Sequence, residues 1–435
     1  MKKIPALFLA TLLAAPSLCL AAIKATEPDY LQRAEEAIQR EDFDSALTAL
    51  DAVIKEHPEN TAARVWRARI LAEKGDLDKA AGDLDAILRK EPGNAAALAQ
   101  RGYLQQKRGR LDDALADFNT ALRLNPRDDW ALYCRGLIFA GRGQGQAALG
   151  DLDAALDINP RNIGAMLGRG QVHLFRREWD QAETDFDAAV RLAPKDASAH
   201  AGLGAASYAQ GAYRQAVEEF SEVVKLLPKD SRPLVERGDV FAAMKDYDQA
   251  RTDYEAALAL NAKDANALVG RADLARVQKK WSAAVTDYDA ALGLDAGSFR
   301  ALMGRAAARY ASGAMDKALA DYAESVKRFP DEPQPYNDYA WLLATGTTDA
   351  LRDGPRAVEI ADQACKLTEY KNGAYLDTLA AAFAEKGDFN EAIKWQEEAV
   401  KNSAEEPDEV RAEIKKRIDL YREKKPYREA PGAGS

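Results

Sequence analysis

Three histidines and three cysteines in 435 residues leave little material for metal or thiol chemistry. His57, His173 and His200 have no second histidine four residues on, so the paired-histidine motif of helical metal sites is missing. No Gly-Lys-Ser or Gly-Lys-Thr occurs, which removes the phosphate loop of nucleotide hydrolases. Gly141-Arg142-Gly143-Gln144-Gly145 is glycine-rich, but no strand pattern precedes it. Gly143 lies 34 residues after Gly109 and Gly109 lies 34 after Gly75, so the stretch reads as a turn between helices. Beyond the N-terminus no run reaches the ~18 apolar residues of a membrane span. A formal charge of −10 argues against a nucleic-acid backbone as partner, which would call for a basic face.

The N-terminus has the pattern of an export signal. Lys2 and Lys3 form a basic start, Ile4–Ala15 is mostly apolar, Pro16 and Ser17 break the run, and small residues follow at Cys19, Ala21 and Ala22. Residues 1–22 read as a secretory signal peptide cleaved near Ala21 or Ala22, leaving a periplasmic or secreted chain. A lipoprotein leader, lipidated at Cys19, is disfavoured because bulky Leu18 precedes the cysteine. Cys134 and Cys365 remain after cleavage, far apart in helical stretches, and read as buried small side chains rather than as a disulfide.

A repeat fills the remainder. In Arg101–Asp129 a short helix runs to about Lys107, Arg108-Gly109 turns the chain, and Ala114, Phe118 and Ala121 set an apolar face on a second helix that ends at Pro126. Closing prolines stand at Pro58, Pro92, Pro126, Pro160, Pro194 and Pro228, and again at Pro330. A small residue recurs every 34 positions at Ala46, Ala80, Ala114, Ala148, Ala182, Ala216, Ala250, Ala284 and Ala318. Four residues later come Leu50, Leu84, Phe118, Leu152, Phe186, Phe220, Tyr254, Tyr288 and Tyr322. Asp44, Asp78, Asp112, Asp180, Asp248 and Asp316 read as N-caps of the second helices. Phe43, Leu77, Leu111, Trp179, Tyr247 and Met315 precede them as apolar staples, packing residues rather than ligand contacts.

A period of 34 with Ala-x3-aromatic and a closing proline resembles the tetratricopeptide repeat family. The family's tryptophan at repeat position 4 is absent, and its Leu-Gly at positions 7 and 8 is usually Arg-Gly or Arg-Ala. The resemblance implies an all-α TPR solenoid, a right-handed superhelix of about eleven helix-turn-helix repeats. Residues 27–332 hold nine repeats, 333–403 two irregular ones, 404–425 a capping helix, and 426–435 a disordered tail. The wording of the closing repeats and the leader are similar to bacterial exported proteins of the family.

Arginine recurs at position 7, as Arg67, Arg101, Arg135, Arg169, Arg237, Arg271 and Arg305. Sixteen residues later come Asp83, Asp117, Asp151, Asp185, Asp253, Asp287 and Asp321. Among repeats two to nine only the sixth departs, with Leu203 against Glu219. Such regularity points to structural ion pairs within each repeat.

In the family this chain resembles, positions 2, 5, 9 and 12 of the first helix face a concave groove that holds the partner. On this chain the stripe gives Tyr103, Trp130, Tyr133, Leu137, Gln171, Leu174 and Tyr208, then Arg232, Asp239, Asp273, Arg276, Arg300, Met303 and Tyr310. The resemblance therefore implies a groove that is aromatic in its first half and charged in its second. A carboxylate clamp would need Lys and Asn at positions 5 and 9 of one repeat; Ala99/Tyr103 and Tyr133/Leu137 do not supply it. The expected function is a non-enzymatic scaffold of the bacterial cell envelope that binds a protein or an extended peptide. The alternative is a carbohydrate-binding module in polysaccharide export or cell-wall handling. No cofactor, metal or nucleic acid is expected.

Overall fold

Asn94 leaves its loop in an extended conformation, and its side-chain oxygen accepts the Ala97 N–H at 2.9 Å. That bond satisfies one of the N–H groups that a helix start leaves without a partner. Asn60, Asp128, Asn162, Asp196, Asp264 and Ser298 do the same for other first helices. The second helices begin one residue earlier than the sequence suggests, so Phe43, Leu77, Leu111, Trp179, Tyr247 and Met315 are their first residues. Asp112 and its counterparts therefore sit inside the first turn and are not caps. There they favour the helix dipole, and two of them pair across repeats, Asp78 with Arg108 and Asp112 with Arg142, both at 2.7 Å.

The computed structural model describes residues 33–429, apart from 35, 39, 41, 405 and 406. The expected signal peptide lies outside them. The chain divides between Pro228 and Lys229 into two units. The first unit holds α1 (Phe43–Glu56), α2 (Thr61–Lys74), α3 (Leu77–Lys90), α4 (Ala95–Lys107), α5 (Leu111–Leu124) and α6 (Asp129–Gly141). It continues with α7 (Gly145–Ile158), α8 (Ile163–Phe175), α9 (Trp179–Leu192), α10 (Ala197–Ala209) and α11 (Tyr213–Leu226). The second unit holds α12 (Arg232–Ala243), α13 (Tyr247–Leu260), α14 (Ala265–Val277), α15 (Trp281–Leu294), α16 (Phe299–Ala311) and α17 (Met315–Arg328). It ends with α18 (Pro333–Thr345), α19 (Gly354–Leu367), α20 (Gly373–Lys386), α21 (Phe389–Lys401) and α22 (Asp408–Arg422). Among the described residues every regular element is helical, and no helix is long and apolar enough to cross a membrane.

Within each unit, neighbouring helices stack as antiparallel pairs. The alanine slot is where second helices meet their neighbours, and every alanine from Ala46 to Ala318 is fully buried, as are Ala357 and Ala392 of the irregular repeats. The ring or leucine four residues on fills the space beside it, with Phe118, Tyr254 and Tyr288 buried completely. Each such side chain contributes roughly 1.5–3 kcal/mol of burial, which one isolated pair of helices could not realise. The turn between paired helices needs a left-handed residue: Gly143 has φ 71°, and at the same slot Lys245 is held at φ 62°.

After α18 the period slips. A 3-10 turn at Asp349–Leu351 fills a longer loop before Asp353 caps α19. Helix α22 closes the stack, burying Ile414, Ile418 and Tyr421. Of the tail expected to be disordered, residues 426–429 pack along α18. Tyr427 lies 5.8 Å from the Trp341 ring, and the Glu429 N–H donates to the Thr345 carbonyl at 3.1 Å. One aromatic anchor with a backbone bond holds the segment where composition alone shows only proline and charge.

Candidate partner-binding cavity

All seven position-7 arginines donate through Nε and Nη2 to the two carboxylate oxygens of the aspartate sixteen residues on, at 2.5–3.1 Å. The planar guanidinium matches a carboxylate edge in this fork, which lysine cannot reproduce. The third arm has a use the sequence reading missed. Nη1 of Arg67, Arg135, Arg169 and Arg305 reaches Asp51, Asn119, Asp153 and Asp289 of the preceding repeat at 2.6–2.7 Å. In the sixth repeat His200 takes over, with Nδ1 2.6 Å from Glu219 and Nε2 3.1 Å from the Pro194 carbonyl.

Trp130 and Tyr133, at the centre of the aromatic half of the expected groove, form a packing layer instead. Trp130 is 4 % and Tyr133 5 % exposed, so neither is available to a partner. The Trp130 ring meets Tyr103 edge-on at 5.2 Å and Phe118 at 6.4 Å, under the buried Arg69 guanidinium at 4.8 Å. Tyr103 donates its hydroxyl to Glu73, which also takes Lys107 at 3.0 Å. The Tyr133 ring lies against the backbone of α8; a side-chain carbon on Gly164 would stand 2.9 Å from it. Leu137 and Leu174 are half-buried, while Gln171 and Tyr208 are exposed. Periodicity marks one face of a helix, and at Trp130 and Tyr133 that face is turned to neighbouring repeats.

In the second unit the charged stripe is largely neutralised from within. Arg300 donates to Asp273 at 2.7 Å and lies 3.7 Å from Asp239. The Tyr254 hydroxyl donates to Asp239 at 2.7 Å, and that of Tyr288 to Asp273. Arg232 is exposed and pairs with Asp230, and Met303 is buried.

Arg276 and Tyr310 instead line an open cavity of about 630 Å³. Its walls come from first helices α14, α16, α18 and α20, with Trp281 and Tyr322 from second helices and Arg417 from α22. Arg417 closes one end: Nη1 donates to both oxygens of Asp377 at 2.7 and 2.8 Å, and the guanidinium lies over Trp341 at 5.2 Å and Tyr427 at 4.6 Å. Asp377 also accepts from the Gln396 amide. Burial pushes the Asp377 carboxyl up, against the pull of Arg417 and Gln396. Three lining residues carry a buried polar atom with no hydrogen-bond partner: Arg276 Nε, Arg417 Nε and Asn337 Oδ1.

Asn337, Asp338, Trp341, Asp377 and Arg417 were not among the residues expected from sequence. A signal for two of them was there. Continuing the step of 34 for one more first helix from Pro333 puts Asn337 and Trp341 at positions 5 and 9. A smaller, polar cavity of about 440 Å³ in the first unit lies beside the Arg101–Asp117 pair.

Paired helices, a repeated buried alanine and an arginine fork in seven of the repeats define a helical-repeat protein. The chain belongs to the tetratricopeptide repeat family: one family model of that description matches residues 31–95, 167–231, 235–299 and 278–333, and a second matches 95–128. Proteins of this family are generally protein–protein interaction scaffolds. Among solved structures the chain is similar to a tetratricopeptide repeat protein from Parabacteroides merdae, at 24 % identity over 57 % of this chain and 98 % of that one, with a TM-score of 0.40. It is also similar to PilF of Pseudomonas aeruginosa, at 21 % identity over 48 % and 94 % with a TM-score of 0.42. Yeast Tom70 matches at 15 % identity over 93 % and 95 %, with a TM-score of 0.44. Comparison with curated proteins gave no match.

Proposed function

We propose that the chain is a non-enzymatic scaffold that holds a protein partner by an extended segment seated in the cavity of the second unit. The observation that carries this reading is the lining itself: the guanidinium of Arg276 and the side-chain amide of Asn337, donor and acceptor groups together, stand beside apolar surface around open space. An extended backbone offers an acceptor and a donor at every residue, so it can meet both kinds at once. Ala307, Ala311 and the ring of Tyr310 supply the apolar floor on which a side chain of the segment can rest. The basic-then-apolar leader of residues 1–22 supports placing this scaffold in the bacterial envelope, periplasmic or secreted. A sugar polymer stacked on the aromatic rings is less favoured, because Arg417 and Tyr427 already lie against Trp341.

The test is selection of a random-peptide display library on the mature chain and on Ala311→Trp, which fills the cavity from α16. Peptides retained by the first and lost by the second support the reading. Equal retention by both, or retention of glycans alone, contradicts it.

A further inference from the structure

Asp338 stands on the cavity wall without a counter-ion. It accepts the Asn337 side-chain amide at 3.2 Å, and among the described residues no lysine, arginine or histidine pairs with it. The other charged groups of the lining are differently placed. Asp377 is held by Arg417, Arg276 lies 4.0 Å from Asp273, and Lys279 is exposed in the turn before α15. Burial pushes the Asp338 carboxyl above its ordinary range, with the amides of Asn337 and Gln334 pulling the other way. Neutral amides stabilise a carboxylate less than a cation does, so a basic group arriving from outside has something to gain here. The ring of Tyr310, half-buried, lines the same space. The fold already seats one cation on such a ring, the Arg417 guanidinium over Trp341.

We propose that the cavity takes a lysine or arginine side chain of the bound segment, its cation paired with Asp338 and its stem laid along the Tyr310 ring. This rests on the reading of the cavity as the seat of an extended segment. A basic side chain fits both halves of the wall, because its methylene stem covers apolar surface while its head carries the charge. An acidic or purely apolar side chain would leave Asp338 without a counter-ion. The chain's formal charge of −10 favours encounter with a basic segment in the same sense.

The experiment measures retention of heptapeptide pools on the immobilised mature chain, with the central residue fixed as arginine, lysine, norleucine or glutamate. The proposal expects the arginine and lysine pools to be retained on the order of tenfold over the other two. Asp338→Asn should remove that preference and Asp338→Glu should keep it, with the helical circular dichroism of both unchanged. Equal retention of the pools by the wild-type chain overturns the proposal whether or not Asp338→Asn folds, and so does a preference that persists in folded Asp338→Asn. Ala311→Trp separates the two readings. If it loses peptides that the wild-type chain holds without a basic preference, the seat stands and the cation site falls. If it retains every pool as the wild type does, or the wild type retains none, both fall.

Discussion

Arg169 grips Asp185 with two parallel bonds, Nε at 2.9 Å and Nη2 at 2.6 Å, and its third arm reaches Asp153 of the preceding repeat at 2.6 Å. The two carboxylates differ in burial: the Asp185 side chain is 5 % exposed and that of Asp153 55 %. Arg169→Ala should therefore cost roughly 3–5 kcal/mol, because Asp185 is left buried without its cation. A double-mutant cycle in chemical denaturation should find strong coupling to Asp185 and less than ~1 kcal/mol to Asp153. Zero coupling to Asp185 would show that the fork does not form.

His200 makes the first unit sensitive to pH. Burial alone would pull its imidazole down, but Glu219 and the Pro194 carbonyl outweigh burial and hold the pKa above its ordinary 6.5. Folding then favours the protonated form, so the stabilisation is complete below about pH 6.5 and is lost as pH rises through the higher folded value. The stability difference between the wild type and His200→Gln should be larger at about pH 5.5 than at about pH 8.5. The opposite trend would mean that His200 is held neutral.

Lys245 occupies the turn slot that Gly211 fills in the preceding repeat, with φ 62°. A side chain costs about 1–2 kcal/mol in that region, and glycine gives back part of the gain as unfolded-state freedom. Lys245→Gly should raise stability by about 1 kcal/mol. A loss of thermal stability would show that the side chain contributes packing that outweighs its strain.

Trp130→Ala should destabilise the first unit by about 3–5 kcal/mol, since the ring is buried among Tyr103, Phe118 and Arg69. Thermal melting checks the loss. A folded variant of unchanged stability would return Trp130 to the groove that the sequence suggested.

Helix pairs, their turns and the arginine fork were legible in the sequence because each is written many times at a fixed step. The third arm of the fork was not, since its acceptor changes between repeats, asparagine at Asn119 and aspartate at Asp51, Asp153 and Asp289. Trp130 and Tyr133 misled because a helical period cannot say whether a face meets solvent or the next repeat. The cavity escaped because it forms where the period slips. Arg276 and Arg417 stand far apart in sequence, and only the closing of α22 onto α20 brings them to one space.

Site-specific photo-crosslinking in the native host tests the central claim most directly. Benzoylphenylalanine replaces Tyr310 in the cavity of the second unit or, as a control, Phe175, which is 83 % exposed in the first. The account predicts a discrete protein adduct from position 310 that Ala311→Trp abolishes, with none from position 175. An adduct from position 175 alone, or one at position 310 that survives the filled cavity, would contradict it.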